Sequence, residues 1–341
     1  TFDDVLIRPK RSTLVSRSDV TLVREFKFRH SDVTWTGVPI VAANMDTTGL
    51  FSIAAELQKH QMMTCMQKFY STREYAEAWS EGINPEFIAV TCGSTENSFD
   101  LLKRKMATNS GTKLICIDVA NGYREVFLDF VKRVREAFPS SILIAGNVAT
   151  REMTEALILA GADIVKVGIG PGSVCTTRKV AGVGYPQLSA IAECADAAHG
   201  LAGHVMADGG CSSPGDVAKA FAAGADFVML GGMFAGHDES GGELVTADNG
   251  KQYKSFYGMS SAKAMETHYG EVAKHRAPEG KEVRVPYRGP LEITVQAILG
   301  GVRSACSYVG ARRIKDLPKC TTFIRVSQTT NEVYQRFNVE E

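Results

Sequence analysis

The feature that most constrains the fold is a series of eight short apolar segments, each of which ends in polar or glycine residues. They are Val38–Ala42, Met62–Met66, Phe87–Val90, Leu114–Ile117, Ile142–Ala145, Asp163–Val167, His204–Ala207 and Phe227–Leu230. Short apolar runs bounded by turn residues are typical of strands that are buried on both faces, as in parallel sheets. We therefore predict eight buried strands.

Segments with helical periodicity separate most of these strands. The predicted helices are Leu50–Lys59, Thr72–Ser80, Asn97–Ala107, Arg124–Phe138, Thr150–Ala160, Gln187–His199 and Pro214–Ala223, followed by a last helix over Leu291–Val309. Strands that alternate with helices pair in parallel, and eight such units favour a closed (β/α)8 TIM barrel over an open doubly wound sheet. We predict one α/β domain over residues 1–341.

The stretch after the eighth strand departs from this repeat. Residues 235–257 are polar and centre on Asp248-Asn249-Gly250, which indicates a hairpin and hence a β-ribbon. Residues 265–288 carry many charged side chains and few apolar ones, so we expect a mobile flap there. Ribbon and flap together form a predicted insertion over residues 235–288.

Charge and cysteine usage exclude several functional classes. The chain has 38 Lys+Arg and 38 Asp+Glu, a balance that disfavours a nucleic-acid-binding or membrane-binding surface. No apolar run approaches the roughly 20 residues of a membrane span. The eight cysteines form no Cys-x-x-Cys pair, which disfavours a zinc or redox motif and fits a reducing cytosol. We expect a cytoplasmic protein with small-molecule partners.

Polar side chains collect where the predicted strands end, which is where TIM barrels place their active sites. These residues are Asp46, Lys68, Asp118, Asn121, Asn147, Cys175 and Asp208. A single Asp or Asn at such a position is as readily explained as a turn former. Their convergence at one predicted face indicates an active site.

The loop after the sixth strand, GIGPGSVCTTR over residues 168–178, is the most informative stretch. Its glycines allow backbone N–H groups to approach an anion, or carbonyl groups to surround a cation. It lacks the glycine spacing of a dinucleotide-binding fingerprint. Cys175 follows these glycines at the barrel mouth, where a thiolate can be exposed, so it is the candidate nucleophile. Cysteines inside strands, such as Cys65 and Cys116, are interpreted as core residues.

The next two loops, Asp208-Gly209-Gly210 and Gly231-Gly232, occupy the place where barrels commonly bind phosphate. Consecutive glycines expose N–H donors to phosphate oxygens, and Asp208 can accept hydrogen bonds from ribose hydroxyl groups. Tight strand exits also use paired glycines, but two adjacent loops make that explanation weaker. A phosphate site, a ribose site and a thiol predict a nucleoside monophosphate that undergoes covalent chemistry on its base.

Four motifs in this order, GIGPGSVCTTR, ADGG, MLGG and FYGMSS, resemble the IMP dehydrogenase/GMP reductase family along nearly the whole chain. The dehydrogenases of this family usually insert a pair of CBS modules after the second strand, and the distance from Lys68 to Thr72 leaves no room for them. The flap segment His275–Lys281 is short and lacks the Arg-Tyr pair that activates water in the dehydrogenases. These features, with the stretch Asp118–Tyr123, favour the reductase branch.

The resemblance implies a reaction, NADPH-dependent reductive deamination of GMP to IMP and ammonia. In it Cys175 forms a covalent thioimidate at purine C2, and hydride is then delivered to C2. Thr177 and Glu279 would handle the proton that lets ammonia leave. Without the resemblance, Glu279 would be interpreted as a solvated flap carboxylate.

The resemblance also implies three sets of binding residues, matched position by position. Substrate contacts would come from Ser173, Asp208, Gly209, Gly210, Gly231, Gly232, Tyr257, Gly258, Met259, Ser260, Arg276 and Gly280. Cofactor contacts would come from Lys68, Asp118, Ala120, Ile169 and Gly170, and across a subunit boundary from Ser16, Arg17, Ser304 and Ser307. Potassium would bind main-chain carbonyl groups of Gly170, Gly172, Cys175 and Arg178. The family is typically tetrameric, so a homotetramer is expected.

One departure from the family pattern is visible after the second strand. The familiar reductases carry His-Lys-His there, whereas this chain has Gln67-Lys68-Phe69. The lysine is retained, so its cofactor role is kept as an expectation, while the details of cofactor affinity stay open.

Two alternative functions remain at this point. A dehydrogenase without CBS modules would attack the same thioimidate with water and yield xanthosine monophosphate. A nucleotide-sensing barrel would bind GMP without turnover. Glu279 without a downstream Arg-Tyr pair favours the reductase, and the presence of Cys175, Thr177 and Glu279 together favours an enzyme.

Overall fold

The computed structural model describes residues 1–108, 111–271 and 277–326. The strands in these ranges are β1 (Val5–Ile7), β2 (Arg24–Phe26), β3 (Trp35–Ala42), β4 (Met62–Cys65), β5 (Ile88–Cys92), β6 (Leu114–Asp118), β7 (Ile142–Val148), β8 (Ile164–Val167), β9 (His204–Asp208), β10 (Phe227–Leu230), β11 (Leu244–Thr246), β12 (Gln252–Tyr257), β13 (Glu282–Pro286) and β14 (Phe323–Arg325). The α-helices are α1 (Phe51–Leu57), α2 (Thr72–Ser80), α3 (Glu96–Thr108), α4 (Glu125–Ala137), α5 (Arg151–Leu159), α6 (Thr177–Val180), α7 (Gln187–Gly200), α8 (Pro214–Ala222), α9 (Ala262–Tyr269), α10 (Leu291–Val309) and α11 (Leu317–Cys320).

Strands β3 to β10 form a closed barrel. Each pairs in parallel with its successor, and β10 returns to pair with β3 through Val228 opposite Ile40. This confirms the predicted (β/α)8 TIM barrel, and each of the eight predicted apolar segments overlaps one of its strands. Strand β3 begins at Trp35 rather than Val38, because Trp35 and Gly37 pair antiparallel with β2.

Aromatic side chains fill the end of the barrel where the strands begin. Phe26 from β2 stacks on Phe227 at the start of β10 with ring centroids 4.3 Å apart, and Trp35 packs against both rings. Cys65 and Cys116 belong to the same buried cluster inside the barrel. A second apolar layer lies between the strands and the surrounding helices. The carboxyl ends of the strands are thus the end left for polar side chains.

The ribbon after β10 is present, and it has three strands rather than two. Strands β11 and β12 form the hairpin predicted from Asp248-Asn249-Gly250, and Gly250 has a φ of +78° that favours glycine. Strand β13 pairs antiparallel with β12, from Tyr253 opposite Pro286 to Tyr257 opposite Glu282. Its Val283 and Val285 pack against a small buried cluster of Val174, Ala235 and Phe256. This stretch is thus ordered by contacts with residues that are remote along the chain.

The predicted flap over residues 265–288 is therefore partly regular structure. Its beginning lies in α9, where the Oγ of Ser261 accepts a hydrogen bond from the N–H of Ala264, and Gly270 ends the helix at a φ of +80°. Its end is β13. Residues 272–276, among them the predicted substrate residue Arg276, lie outside the described residues. The outer bounds 235–288 and the mobility of the flap stay predictions.

Within the described ranges, none of the helices has the length and apolar character needed to cross a membrane.

Candidate active site

A cavity of about 1020 Å³ opens at the carboxyl ends of the barrel strands. Its lining includes side chains that follow seven of the strands, from Asn44 after β3 to Asp208 at the end of β9, together with Glu279 from the segment before β13. The structure thus brings together residues that the sequence places far apart. The predicted site residues in this lining are Lys68, Asp118, Ala120, Ile169, Gly170, Gly172, Cys175, Thr177, Asp208, Gly209, Gly258, Met259, Ser260 and Glu279.

Cys175 is half-buried in the loop after β8 and faces the hydroxyl of Thr177. The Sγ of Cys175 lies 3.2 Å from the Oγ1 of Thr177, which begins the single-turn helix α6. All eight cysteines lie in the described ranges and are free thiols. Burial raises the pKa of Cys194 to about 11 and that of Cys306 to about 12, which makes these thiols poor nucleophiles. Cys175 has the exposure that these two buried thiols lack.

Backbone hydrogen bonds hold Glu279 beside this loop. The N–H of Thr176 donates to the carbonyl of Glu279 at 2.9 Å, and the N–H of Glu279 donates to the carbonyl of Ser260 at 3.0 Å. Gly280 has no room for a side chain, since a Cβ there would lie 2.9 Å from the nitrogen of Ser261. The segment that carries Glu279 is therefore clamped between the Cys175 loop and the end of the ribbon.

A buried lysine that the sequence reasoning missed links two of the predicted site residues. Lys166 lies in β8, and its Nζ contacts the Oδ1 of Asp118 at 2.5 Å and the Oδ2 of Asp208 at 3.0 Å. Burial alone would lower the pKa of Lys166, but the two carboxylates raise it well above its usual value. For Asp118 the signs are reversed: burial alone would raise the pKa of this carboxyl, but the charge of Lys166 lowers it below its usual value. A charged residue inside the apolar segment DIVKV was the available signal, because a buried charge requires a partner.

Two amides fix the loop that carries Asp208. The Nδ2 of Asn147 donates to the Oδ2 of Asp208 at 2.9 Å and to the carbonyl of Gly168 at 3.0 Å. The Nε2 of Gln187 donates to the carbonyl of Val167 at 2.8 Å and to that of Asp208 at 3.2 Å. The loops after β8 and β9 are thereby held against each other.

The glycine loops after β8, β9 and β10 approach closely. Gly209 and Gly210 have φ values of +87° and +89°, which glycine adopts without strain. A Cβ on Gly209 would lie 3.2 Å from the nitrogen of Gly172, and one on Gly232 would lie 2.9 Å from the Oγ of Ser173. Glycine loops in such close approach are able to present backbone N–H groups to an anion. Ser173, Gly210, Gly231, Gly232, Tyr257 and Gly280 are not part of the cavity lining itself.

The predicted cofactor residues fall into two groups. Lys68, Asp118, Ala120, Ile169 and Gly170 line the cavity, whereas Ser16, Arg17, Ser304 and Ser307 do not. Ser16 caps the short helix Arg17–Asp19 by accepting a hydrogen bond from the N–H of Ser18. Ser307 donates to the carbonyl of Ser304 within α10. Within one chain, the second group of predicted cofactor residues therefore lies outside the cavity that the first group lines.

The loop predicted to bind potassium offers main-chain oxygens. Gly170 has a φ of +80°, and the N–H of Cys175 donates to the carbonyl of Gly172 at 3.1 Å. Arg178 packs its side chain against Gly170 and donates from Nη2 to the carbonyl of Tyr185 at 2.6 Å. Carbonyl oxygens are the ligands that a hard cation accepts, so the donor set fits a monovalent cation.

Comparisons with known proteins agree along nearly the full chain. The IMP dehydrogenase / GMP reductase domain family matches residues 1–333. A GMP reductase of Caenorhabditis elegans is 60% identical over 341 residues, which covers 99% of this chain and 95% of that protein. GMP reductase 2 of Homo sapiens is 59% identical over 336 residues, with 98% and 96% covered. The crystal structure of a cysteine-to-alanine variant of GMP reductase from Trypanosoma brucei, in complex with guanosine 5'-monophosphate, has a TM-score of 0.85 at 27% identity and covers 96% of this chain and 95% of that one.

Proposed function

This chain belongs to the IMP dehydrogenase/GMP reductase family, and on that premise we propose that it catalyses the GMP reductase reaction. GMP and NADPH are converted to IMP, ammonia and NADP. The observation that carries this proposal is the single cavity that contains Cys175, Thr177, Glu279 and Asp208. A thiol, a hydroxyl and a carboxylate around one mouth are the groups that substitution at a purine carbon requires.

The first half of the reaction replaces ammonia by sulfur. The thiolate of Cys175 adds to C2 of the purine, a C–S bond forms and the bond from C2 to the amino nitrogen breaks. Ammonia leaves only when its nitrogen is protonated, so an acid must lie near. Thr177, 3.2 Å from the thiol, and Glu279 beside the same loop supply and relay that proton.

The second half replaces sulfur by hydrogen. NADPH, as second substrate, supplies the hydride that C2 receives. The C–S bond then breaks, IMP is formed and the sulfur of Cys175 keeps the electron pair. Lys68, Asp118, Ala120, Ile169 and Gly170 would hold NADPH on this side of the cavity. Dividing one difficult substitution into two steps is the advantage of covalent catalysis.

The remaining contacts orient GMP. Asp208, fixed by Lys166 and Asn147, presents its carboxylate to the ribose hydroxyl groups. Phosphate would lie at the junction of the glycine loops, and the base would lie between Cys175 and the segment near Met259. The phosphate set is Ser173, Gly209, Gly210, Gly231, Gly232 and Tyr257, and the base set is Gly258, Met259, Ser260, Gly280 and Arg276, the last outside the described residues.

Three further properties belong to the proposal. Potassium would bind the carbonyl groups of Gly170, Gly172, Cys175 and Arg178 and hold the Cys175 loop in shape. A homotetramer would bring Ser16, Arg17, Ser304 and Ser307 of one subunit to the cofactor of another. Free thiols throughout the chain support a location in the reducing cytoplasm.

The deciding experiment incubates the protein with GMP and NADPH and follows the loss of NADPH absorbance together with ammonia. Cys175→Ala should abolish turnover and retain GMP binding, while Cys194→Ala, a change of the same size at a buried thiol, should keep turnover. Glu279→Gln should slow ammonia release more than hydride transfer to a preformed thioimidate. Activity with IMP and NAD alone would establish a dehydrogenase instead, and turnover by Cys175→Ala would overturn the assignment of the nucleophile.

A further inference from the structure

Asp46, in the loop after β3, joins three elements around the site. Its Oδ2 accepts a hydrogen bond from the hydroxyl of Tyr257 at 3.0 Å and lies 2.6 Å from the Nε2 of His268. Its backbone N–H contacts the Sδ of Met259 at 3.3 Å. Asp46 is nearly buried, so its carboxylate requires hydrogen-bond partners within the protein, and these two side chains provide them.

His268 makes a second contact with its ring face. The ring stacks on Phe69 with centroids 3.4 Å apart and planes within 7° of parallel. Phe69 follows Lys68 in the loop after β4, and the Nζ of Lys68 lies 5.1 Å from the centroid of the Phe69 ring. Phe69 is also one of the two positions, with Gln67, at which this chain departs from the His-Lys-His pattern described above.

One side chain thus contacts both halves of the site. The edge of the His268 ring is bonded to Asp46, which holds Tyr257 and Met259 on the GMP side. The face of the ring packs on Phe69, beside Lys68 on the cofactor side. His268 lies in the last turn of α9, whose capping residue Ser261 adjoins Gly280 and the segment of Glu279.

The hydroxyl of Tyr257 has one proton, so it cannot donate to Asp46 and to a phosphate at once. When Tyr257 turns its proton toward phosphate, His268 is the donor that remains on the Oδ2 of Asp46. Without His268, the buried carboxylate would retain Tyr257 and compete with phosphate for it. Removal of His268 should therefore weaken GMP binding.

We propose that His268 is a positioning residue that couples the GMP half of the site to the cofactor half. The inference rests on the proposed function, since it takes the Tyr257 side as the phosphate site and the Lys68 side as the NADPH site. The Nε2 of His268 holds the carboxylate of Asp46, so the hydroxyl of Tyr257 is able to donate to phosphate instead. Because Phe69 orients the His268 ring, GMP affinity then depends on the loop that carries Lys68.

The test is a double-mutant cycle on the full-length protein, read by calorimetric titration of GMP in the absence of NADPH. Phe69→Leu should weaken GMP binding about threefold to tenfold when His268 is present, because the ring that orients His268 is lost. In a His268→Ala background the same change should have almost no effect. His268→Ala alone should weaken GMP binding about tenfold, the usual consequence of losing a hydrogen bond to a charged group.

A conservative variant separates the two contacts of His268. His268→Gln keeps a donor for Asp46, so it should restore most of the GMP affinity that His268→Ala loses. It lacks the ring that stacks on Phe69 beside Lys68, so the KM for NADPH should be above the wild-type value in both variants. His199→Ala serves as a control, because that histidine is bonded to Asp226 at the start of β10, away from the cavity. Thermal midpoints of all variants show that each is folded.

The outcomes distinguish this inference from the proposed function. Wild-type turnover of GMP with NADPH is measured first and tests the function alone. If that enzyme is active but Phe69→Leu weakens GMP binding equally in both backgrounds, or not at all, the coupling through His268 is overturned. Failure of His268→Gln to improve on His268→Ala would also overturn it.

Discussion

Two buried lysines near the active site should respond in opposite ways to the same substitution. Lys166 contacts the carboxylates of Asp118 and Asp208, and they raise its pKa well above the usual value despite burial. Lys105, in α3, donates from Nζ to the carbonyl of Lys68 at 2.9 Å rather than to a carboxylate. Burial lowers the pKa of Lys105 to about 8. Methionine fills a similar volume without the charge at either position.

The structure sets the size of each effect. Lys166→Met leaves the partly exposed carboxylates of Asp118 and Asp208 without their buried cation. Breaking a fully buried ion pair costs about 3–5 kcal/mol in the free energy of unfolding, so we expect a loss at the lower end of that range, about 3 kcal/mol. At Lys105, a pKa of about 8 instead of 10.5 corresponds to about 3 kcal/mol against burying the charged form. Methionine cannot make the hydrogen bond to the carbonyl of Lys68, and this loss offsets about 1 kcal/mol of the gain. Lys105→Met should therefore stabilise the protein at pH 7 by up to about 2 kcal/mol.

The two effects also differ in their dependence on pH. Below about pH 8, Lys105 is charged in both the folded and the unfolded state, and the burial cost is fully present. Between about pH 8 and 10.5 the folded protein binds fewer protons than the unfolded chain, so wild-type stability rises and the advantage of Lys105→Met shrinks. The stabilisation from Lys166 is fully present below its unfolded pKa of about 10.5 and disappears only as pH rises through its higher folded pKa.

The assay is urea unfolding followed by circular dichroism at pH 7 and pH ~9.5. GMP binding is measured in parallel, since Lys166→Met should also release Asp208 from its position while Lys105→Met leaves Asp208 in place. Equal destabilisation by the two substitutions, or a Lys166→Met variant as stable as the wild type, would refute the reasoning from ion pairing.

Three further predictions follow from single contacts. Gly280→Ala should lower kcat with little change in thermal midpoint, because its Cβ would lie 2.9 Å from the nitrogen of Ser261 and displace the segment of Glu279; an unchanged single-turnover rate of ammonia release would contradict this. Asp226→Asn should destabilise the protein by about 3 kcal/mol, since the buried carboxylate contacts the Nη2 of Arg24 at 2.9 Å as well as the Nε2 of His199 at 2.7 Å. The hydrogen bond to Asp226 raises the pKa of His199 although burial opposes this. The stabilisation from this pair is therefore complete below about pH 6.5 and is lost as pH rises through the folded pKa of His199. Thermal midpoints measured across this range should show the difference between Asp226→Asn and wild type becoming smaller as pH rises. Replacing potassium chloride by tetramethylammonium chloride should slow GMP turnover, and an unchanged rate would remove the proposed cation site.

Much of the barrel was predictable because its signals are local. Short apolar segments, helix-capping residues and glycines after helices depend on spacing along the chain, and the last helix has the predicted bounds Leu291–Val309. The extension of β3 to Trp35 was not predictable in this way, since it depends on pairing with β2.

The stretch predicted to be a flap, residues 265–288, shows the limit of local signals. Its charged composition predicted a flap, whereas the structure contains β13, which is held by β12 along Tyr253–Tyr257. Residues of Glu282–Pro286 alternate between exposed and half-buried in the structure, but so short a segment is a weak strand signal in the sequence. The strand is stabilised by pairing with β12 rather than by the preferences of its own residues.

The sequence by itself determined which chemical groups stand at the strand ends: a cysteine in a glycine loop, a carboxylate before paired glycines, and a lysine after the second strand. The order of β/α units is enough to place these groups at one face, because parallel strands end on the same side. Only the tertiary structure decided how they are held. The contacts of Lys166 with Asp118 and Asp208, and of His268 with Asp46 and Phe69, join residues remote along the chain, and their strength depends on distances and burial that no local pattern encodes.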